Sequence, residues 1–204
     1  MRVAAPSPAE MGDIGMPVHH SVQAGCVQAV HEVEQVTREM TWQPWEELPA
    51  LLRQARAVFV VGNGRSGFVV RMAAMRLMHV GLATHVVGET TTPAITADDV
   101  LIAVSGSGST NAIVYAARQA ANSGATVIAV TANPGSDLAK VAKVVLLVPA
   151  PEKTDHGDAR GSQQYAGSLF EQVVLFAFEG VFNAIWQASG TDAEEMYKRH
   201  ANLG

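Results

Sequence analysis

The chain has 204 residues, 48% of them hydrophobic and 16% charged, with a formal net charge of −5; this suits one sizeable domain with a real core and leaves too few cations for a nucleic-acid face or an anionic membrane surface. Its one cysteine, Cys26, forms no intrachain disulfide, and the first twenty residues lack the continuous apolar stretch of a signal peptide, which together point to the cytoplasm. The most apolar segment, "EQVVLFAFEGVFNAIW", is broken by Glu171, Glu179 and Asn183 and reads as a buried helix rather than a membrane span.

Residues 1–20 mix Pro, Gly and Ser without periodicity and read as a flexible tail, leaving 21–204 as the folded domain. From Val22 to Met40 apolar positions recur at helical spacing, and "WQPWEELPALLRQA" predicts a second helix starting near Pro44; together they make an N-terminal helical lead-in. The pattern then changes to short continuous apolar runs at 57–62, 84–87, 100–105, 126–130 and 144–148, each bounded by Gly, Pro, Asp or Ser. Such runs predict strands buried on both faces. Helical patterns lie between most of them: "GFVVRMAAMRLMHVG", "NAIVYAARQAANSG" and "SDLAKVAK". The alternation predicts an α/β fold with a parallel sheet covered on both sides. A long apolar helix from about Gly167 to Gln187 and a short polar one from Asp192 close the chain.

Two loops follow strands and open helices. "GNGRSG" spells GxGxxG through Gly62, Gly64 and Gly67, with Glu89 at about the distance a dinucleotide fingerprint expects. Against that reading, Glu89 lies beyond a glycine after the second strand, and Arg65 crowds the pyrophosphate turn; tight strand-to-helix turns alone also account for the glycines. The second loop, "SGSGST", offers Ser105, Ser107, Ser109 and Thr110 with Gly106 and Gly108 at a helix N-terminus, and has no lysine. Exposed N–H groups and hydroxyls at the positive end of a helix suit a phosphate monoester better than a triphosphate. The plainer reading is that Ser109 or Thr110 is an ordinary N-cap.

"VFVVGNGRSG", "GETTTPAI", "LIAVSGSGST" and "SLFEQ", in this order, resemble the sugar isomerase (SIS) domain family, from about residue 50 through the C-terminal "RHANLG". "GNGRSG" departs slightly from the family's usual "GAGRSG" or "GMGRSG", a difference that bears little on the chemistry the resemblance implies. The resemblance implies a single SIS domain, with a five-stranded parallel sheet in a three-layer αβα arrangement. It implies isomerisation of D-arabino-3-hexulose 6-phosphate to D-fructose 6-phosphate in the ribulose monophosphate route of formaldehyde fixation. It further implies no cofactor or metal, a homotetramer, and 3-hexulose-6-phosphate synthase as the pathway partner.

Moving a carbonyl from C3 to C2 through an enediol requires one base placed over both carbons. The resemblance assigns that role to Glu171, whereas Ser168-x-x-Glu171 on its own spells a capping box; Glu179, two turns later, is the structural control. His79 in "RLMHVG" is either a packing residue or the donor to the enediolate oxygens, with His156 and His200 as rivals that a neighbouring subunit could supply. Arg65 serves the anionic end of the substrate or bridges subunits, Ser66 faces the serine loop, and Glu89 contacts a sugar hydroxyl or a subunit. A C3 ketone esterified at C6 cannot close a five-membered ring, so a dedicated ring-opening acid is less necessary. No His, Cys and carboxylate cluster has metal-ligand spacing. Two further classes compete with the isomerase: a non-catalytic sugar-phosphate sensor and an NAD-binding Rossmann protein.

Overall fold

The computed structural model describes residues 21–151 and 162–203. The predicted 1–20 tail, His156 and most of the 152–164 loop lie outside the described residues. The chain opens with α1 (Val22–Glu39), α2 (Gln43–Glu46) and α3 (Leu48–Gln54), then alternates β1 (Val58–Gly62), α4 (Gly64–His79), β2 (Thr84–Val86), β3 (Val100–Val104), α5 (Asn111–Asn122), β4 (Thr126–Thr131), α6 (Asp137–Val141) and β5 (Val144–Leu147). It ends in α7 (Ser168–Ser189) and α8 (Ala193–Tyr197). The predicted second helix is in fact two, because Pro44 and Pro49 each occupy the first turn of a separate short helix, where a missing N–H costs nothing.

All five strands are parallel, in the order β2-β1-β3-β4-β5. Alternate side chains of each strand feed opposite cores. Val58, Val60, Val100, Ile102 and Ile128 face α1, α3, α4 and α7, while Phe59, Val61, Leu101, Ala103 and Val127 face α5 and α6. Because both faces are covered, the strands read as uninterrupted apolar runs. Complete burial of side chains such as Ile102 and Ile128 contributes about 1.5–3 kcal/mol each.

Side-chain caps fix several of the helix starts: Ser21 accepts from the Ala24 N–H, Ser136 from Ala139 and Asp192 from Glu195. α7 is long and apolar enough to cross a bilayer by composition. Its buried residues, including Val173, Val174, Ala177, Phe178 and Ile185, instead pack into the core against the sheet and α4, so it serves as a core helix of this domain.

The turn from β1 into α4 is as tight as a backbone allows. A Cβ on Gly67 would stand 2.6 Å from the Gly62 carbonyl oxygen, so only glycine lets the first turn of α4 lie against the strand end. Gly67→Ala should therefore lower stability by at least about 2 kcal/mol in urea unfolding. Gly25→Ala, inside α1 where an added methyl meets nothing within 4 Å, should raise it by about 0.5–1 kcal/mol.

Candidate active site

The strand order reverses between β1 and β3, and open α/β sheets bind ligands at the carboxyl ends of such neighbours. Here that crevice is a cleft of about 170 Å³ lined by Asn63, Gly64, Ser66, Val104, Ser105, Gly106, Ser107 and Thr110. The first turns of α4 and α5 both open onto it. Asn63 and Thr110 stand at their N-cap positions without making a side-chain cap, which leaves first-turn N–H groups available to an anion.

The serine loop is held in place from below. Gly108 adopts φ +61°, and a Cβ there would strike Ser136. Thr131 Oγ1 donates to the Gly106 carbonyl at 3.0 Å, and the Ala132 and Leu138 N–H groups donate to the carbonyls of Gly106 and Gly108. The hydroxyls above are linked among themselves: Ser105 and Thr110 lie 3.1 Å apart, and Ser109 donates to Ser107 Oγ at 3.0 Å. Thr110 is thus committed to the cleft and does not act as a helix cap. Ser109 is exposed and is not among the cleft-lining residues.

Arg65, next to Ser66, turns the other way and pairs through Nε with Glu171 Oε2. Glu171 is 2% exposed, while the Arg65 side chain is 65% exposed. The capping-box reading fails here. Gly167, in the left-handed region, occupies the N-cap of α7, Ser168 is already inside the helix, and no side chain caps that end. Glu171 sits in the first turn with its carboxylate directed to α4. Phe170, its neighbour, is the side chain nearest to Gly106, at 3.4 Å from where a Cβ would stand. Arg65, Phe68, Val69, Glu171, Gln172 and Leu175 line a second hollow of about 280 Å³, so the Arg65–Ser66 step joins two adjoining recesses.

The structure therefore brings together Arg65, Ser66, Ser105, Ser107, Thr110 and Glu171, keeps Ser109 at their edge through its bond to Ser107, and separates Glu89 and His79 from them. Glu89 pairs with Arg71 on the surface of α4, which also takes away the free acid that a dinucleotide ribose would need. His79 ends α4, fourteen residues beyond Arg65 and hence about 21 Å further along the axis. The residue is 3% exposed, its ring stacks on that of His200 at 4.0 Å, and Arg199 donates to its backbone carbonyl. Within one chain neither histidine reaches the serine cleft. Glu179 pairs with Arg76 at 3.3 Å, as a structural control should. Sequence reasoning missed Asn63 and Gln172; both adjoin residues it had singled out. Another cavity, of about 450 Å³ between α5 and the β1 face, is lined by Phe59, Val61, Ile95, Leu101 and other mainly apolar side chains and offers no charge to a phosphate.

Known proteins resemble this chain in sequence and fold. Residues 51–171 match the SIS domain family. The chain is 53% identical over 161 residues to the 3-hexulose-6-phosphate isomerase of Mycobacterium gastri, covering 78% of this chain and 80% of that one. It is 35% identical to the enzyme of the same name from Bacillus subtilis, over 78% of this chain and 85% of the relative. A crystal structure from Methanococcus jannaschii, for which a molecular function of 3-hexulose-6-phosphate isomerase was inferred, superposes with a TM-score of 0.76 at 29% identity, over 88% of this chain and 98% of that one.

Burial at the end of α4 pushes the His79 imidazole below its ordinary pKa, and the neighbouring His200 and Arg76 push it the same way. Arg199 and Tyr197 complete the polar surroundings. As pH falls through about 6.5 the unfolded chain binds a proton that the folded chain resists, so stability should drop there and level off below the folded pKa. Thermal unfolding followed from pH 7.5 to 5 should show this slope, and His79→Gln should flatten it.

Proposed function

The chain belongs to the SIS domain family, and from that premise we propose that it is a 3-hexulose-6-phosphate isomerase, converting D-arabino-3-hexulose 6-phosphate to D-fructose 6-phosphate through an enediol. The observation that carries this reading is the Arg65–Glu171 pair: a buried carboxylate held by the residue next to Ser66 of the serine cleft. Consecutive Cα atoms stand about 3.8 Å apart, which supports one small molecule spanning a group bound at Ser66 and one facing Glu171.

In this proposal the C6 phosphate enters the cleft. The N–H groups opening α4 and α5 and the hydroxyls of Ser66, Ser105, Ser107 and Thr110 bind it, with Ser109 supporting Ser107. The open carbon chain runs toward Glu171. The carboxylate removes the C2 proton, and the electrons form the C2–C3 double bond with negative charge on the C3 oxygen; the C2 hydroxyl proton then passes to the C3 oxygen, and the carboxylate returns its proton to C3 as the C2 oxygen becomes the carbonyl. Arg65, largely exposed and able to follow the substrate, stabilises the enediolate oxygens.

A role for His79 or His200 in the chemistry requires a second copy. Phe68, Met72 and Met75 on α4 and Phe176 on α7 are exposed apolar side chains near the Arg65–Glu171 hollow, a surface suited to burial in a homotetramer. We place the reaction in the cytoplasm, downstream of 3-hexulose-6-phosphate synthase. Glu89, paired with Arg71, is assigned to the subunit surface rather than to the sugar.

Glu171→Gln should lower kcat by about 10²–10⁴-fold with little change in KM, while Glu179→Gln leaves both near wild type. Ser107→Ala together with Thr110→Ala should raise KM by more than about tenfold, because each hydrogen bond to a charged group contributes about 1.5–3 kcal/mol. Both are read by coupling hexulose phosphate turnover to detection of fructose 6-phosphate. EDTA should leave the rate unchanged.

A further inference from the structure

Glu32 is a charged residue in the middle of α1, and it is 5% exposed. Its carboxylate sits inside a ring of four donors. Oε1 accepts from Gln28 Nε2 at 2.9 Å and from the Gln163 N–H at 3.0 Å, and Oε2 accepts from Ser162 Oγ and from Gln164 Nε2 at 3.1 Å. Three of those donors belong to the strand of chain that leads into α7. Burial alone raises the pKa of Glu32, but the bonds from Gln28, Ser162, Gln163 and Gln164 outweigh it and hold the group below its ordinary value. It is therefore an anion fixed by hydrogen bonds, and the mechanism above does not use it.

What it fixes adjoins the reacting carboxylate. A carboxylate only accepts, so Gln164 must turn its NH₂ toward Glu32, which leaves its carbonyl for the next partner. Gln172 Nε2 donates to that carbonyl at 2.8 Å. Gln172 follows Glu171 directly and lines the same hollow as Arg65 and Glu171. Meanwhile the start of α7 has no side-chain cap of its own. The turn that carries Glu171 is thus anchored from outside, through Gln164 and Gln172, to a charge on α1.

We propose that Glu32 is a positioning residue for isomerisation: through Gln164 and Gln172 it sets the first turn of α7 and with it the placement of the Glu171 carboxylate over the substrate carbons. The proposal rests on Glu171 being the base. It assigns Glu32 no contact with the substrate, and none with the phosphate cleft, which β4 and α6 hold independently.

The test is a double-mutant cycle in kcat and KM on the full chain. Glu32→Gln places an amide among donors that need an acceptor, and it should lower kcat by about 10- to 100-fold, as a small misplacement of a catalytic group does, with KM within about twofold. In the Glu171→Gln background the same change should have almost no further effect on the residual rate, because there is no base left to misplace. Gln164→Met cuts the relay while leaving Glu32 three of its donors, so it should reproduce the kcat loss even if Glu32→Gln folds poorly. Full multiplication of the two losses in the double variant, or wild-type kcat in Gln164→Met, overturns the positioning role and leaves the base intact. Wild-type kcat in Glu171→Gln overturns the base assignment, and the positioning role with it.

Discussion

Everything at this site depends on the reversal of strand order between β1 and β3. Parallel strands linked by crossover helices send those helices to one face or the other, and where the order reverses two adjacent strand ends discharge into helices on opposite faces. α4 leaves toward the core with α7, and α5 toward the core with α6. The crevice left between them has helix N-termini on both sides. Phosphate binding then needs no lysine, because the partial positive charge and the N–H groups come with the topology. Glycine is required on each side: a Cβ on Gly67 would strike the Gly62 backbone and one on the left-handed Gly108 would strike Ser136, so only glycine lets both loops pack tightly against what holds them.

The two faces of the sheet are unequal, and the inequality places the chemistry. Five helices, α1 to α4 and α7, crowd the face that holds the larger core. That crowding buries the first turn of α7 and with it Glu171, beside Arg65 in the first turn of α4. On the proposed function, binding and proton transfer are divided between neighbours in sequence. Ser66 faces the neutral, hydroxyl-rich cleft and Arg65 faces the carboxylate. A phosphate seated by N–H and hydroxyl groups leaves the guanidinium free for the charge that develops during the reaction, and such charge is where preorganised electrostatics contribute most.

The strands were legible because burial on both faces leaves no polar alternation to misread, and each of the five apolar runs became a strand within a residue or two. The serine loop between β3 and α5 was legible as a candidate anion site because its hydroxyls, its glycines and the following helix are all local. Errors came where local signals have two uses. Proline suits the first turn of any helix, so two prolines within six residues looked like one helix and made two. Ser168-x-x-Glu171 looked like a capping box, but a left-handed glycine took the cap position one residue earlier. The placement of His79 was available from helical rise alone, since fourteen residues of helix cannot fold back on their own start. Glu32 carried no sequence signal at all: apart from Gln28, its partners lie some 130 residues away, and only the packing of α1 on α7 brings them together.

If the serine cleft and Glu171 form one site, a single sugar phosphate spans both. A crystal structure of the Glu171→Gln protein grown with the hexulose phosphate measures this directly. The phosphate should lie among Ser66, Ser105, Ser107 and Thr110, with C2 and C3 within hydrogen-bonding reach of residue 171. A phosphate bound elsewhere, or a carbon chain running away from residue 171 toward the apolar cavity beside α5, would contradict it.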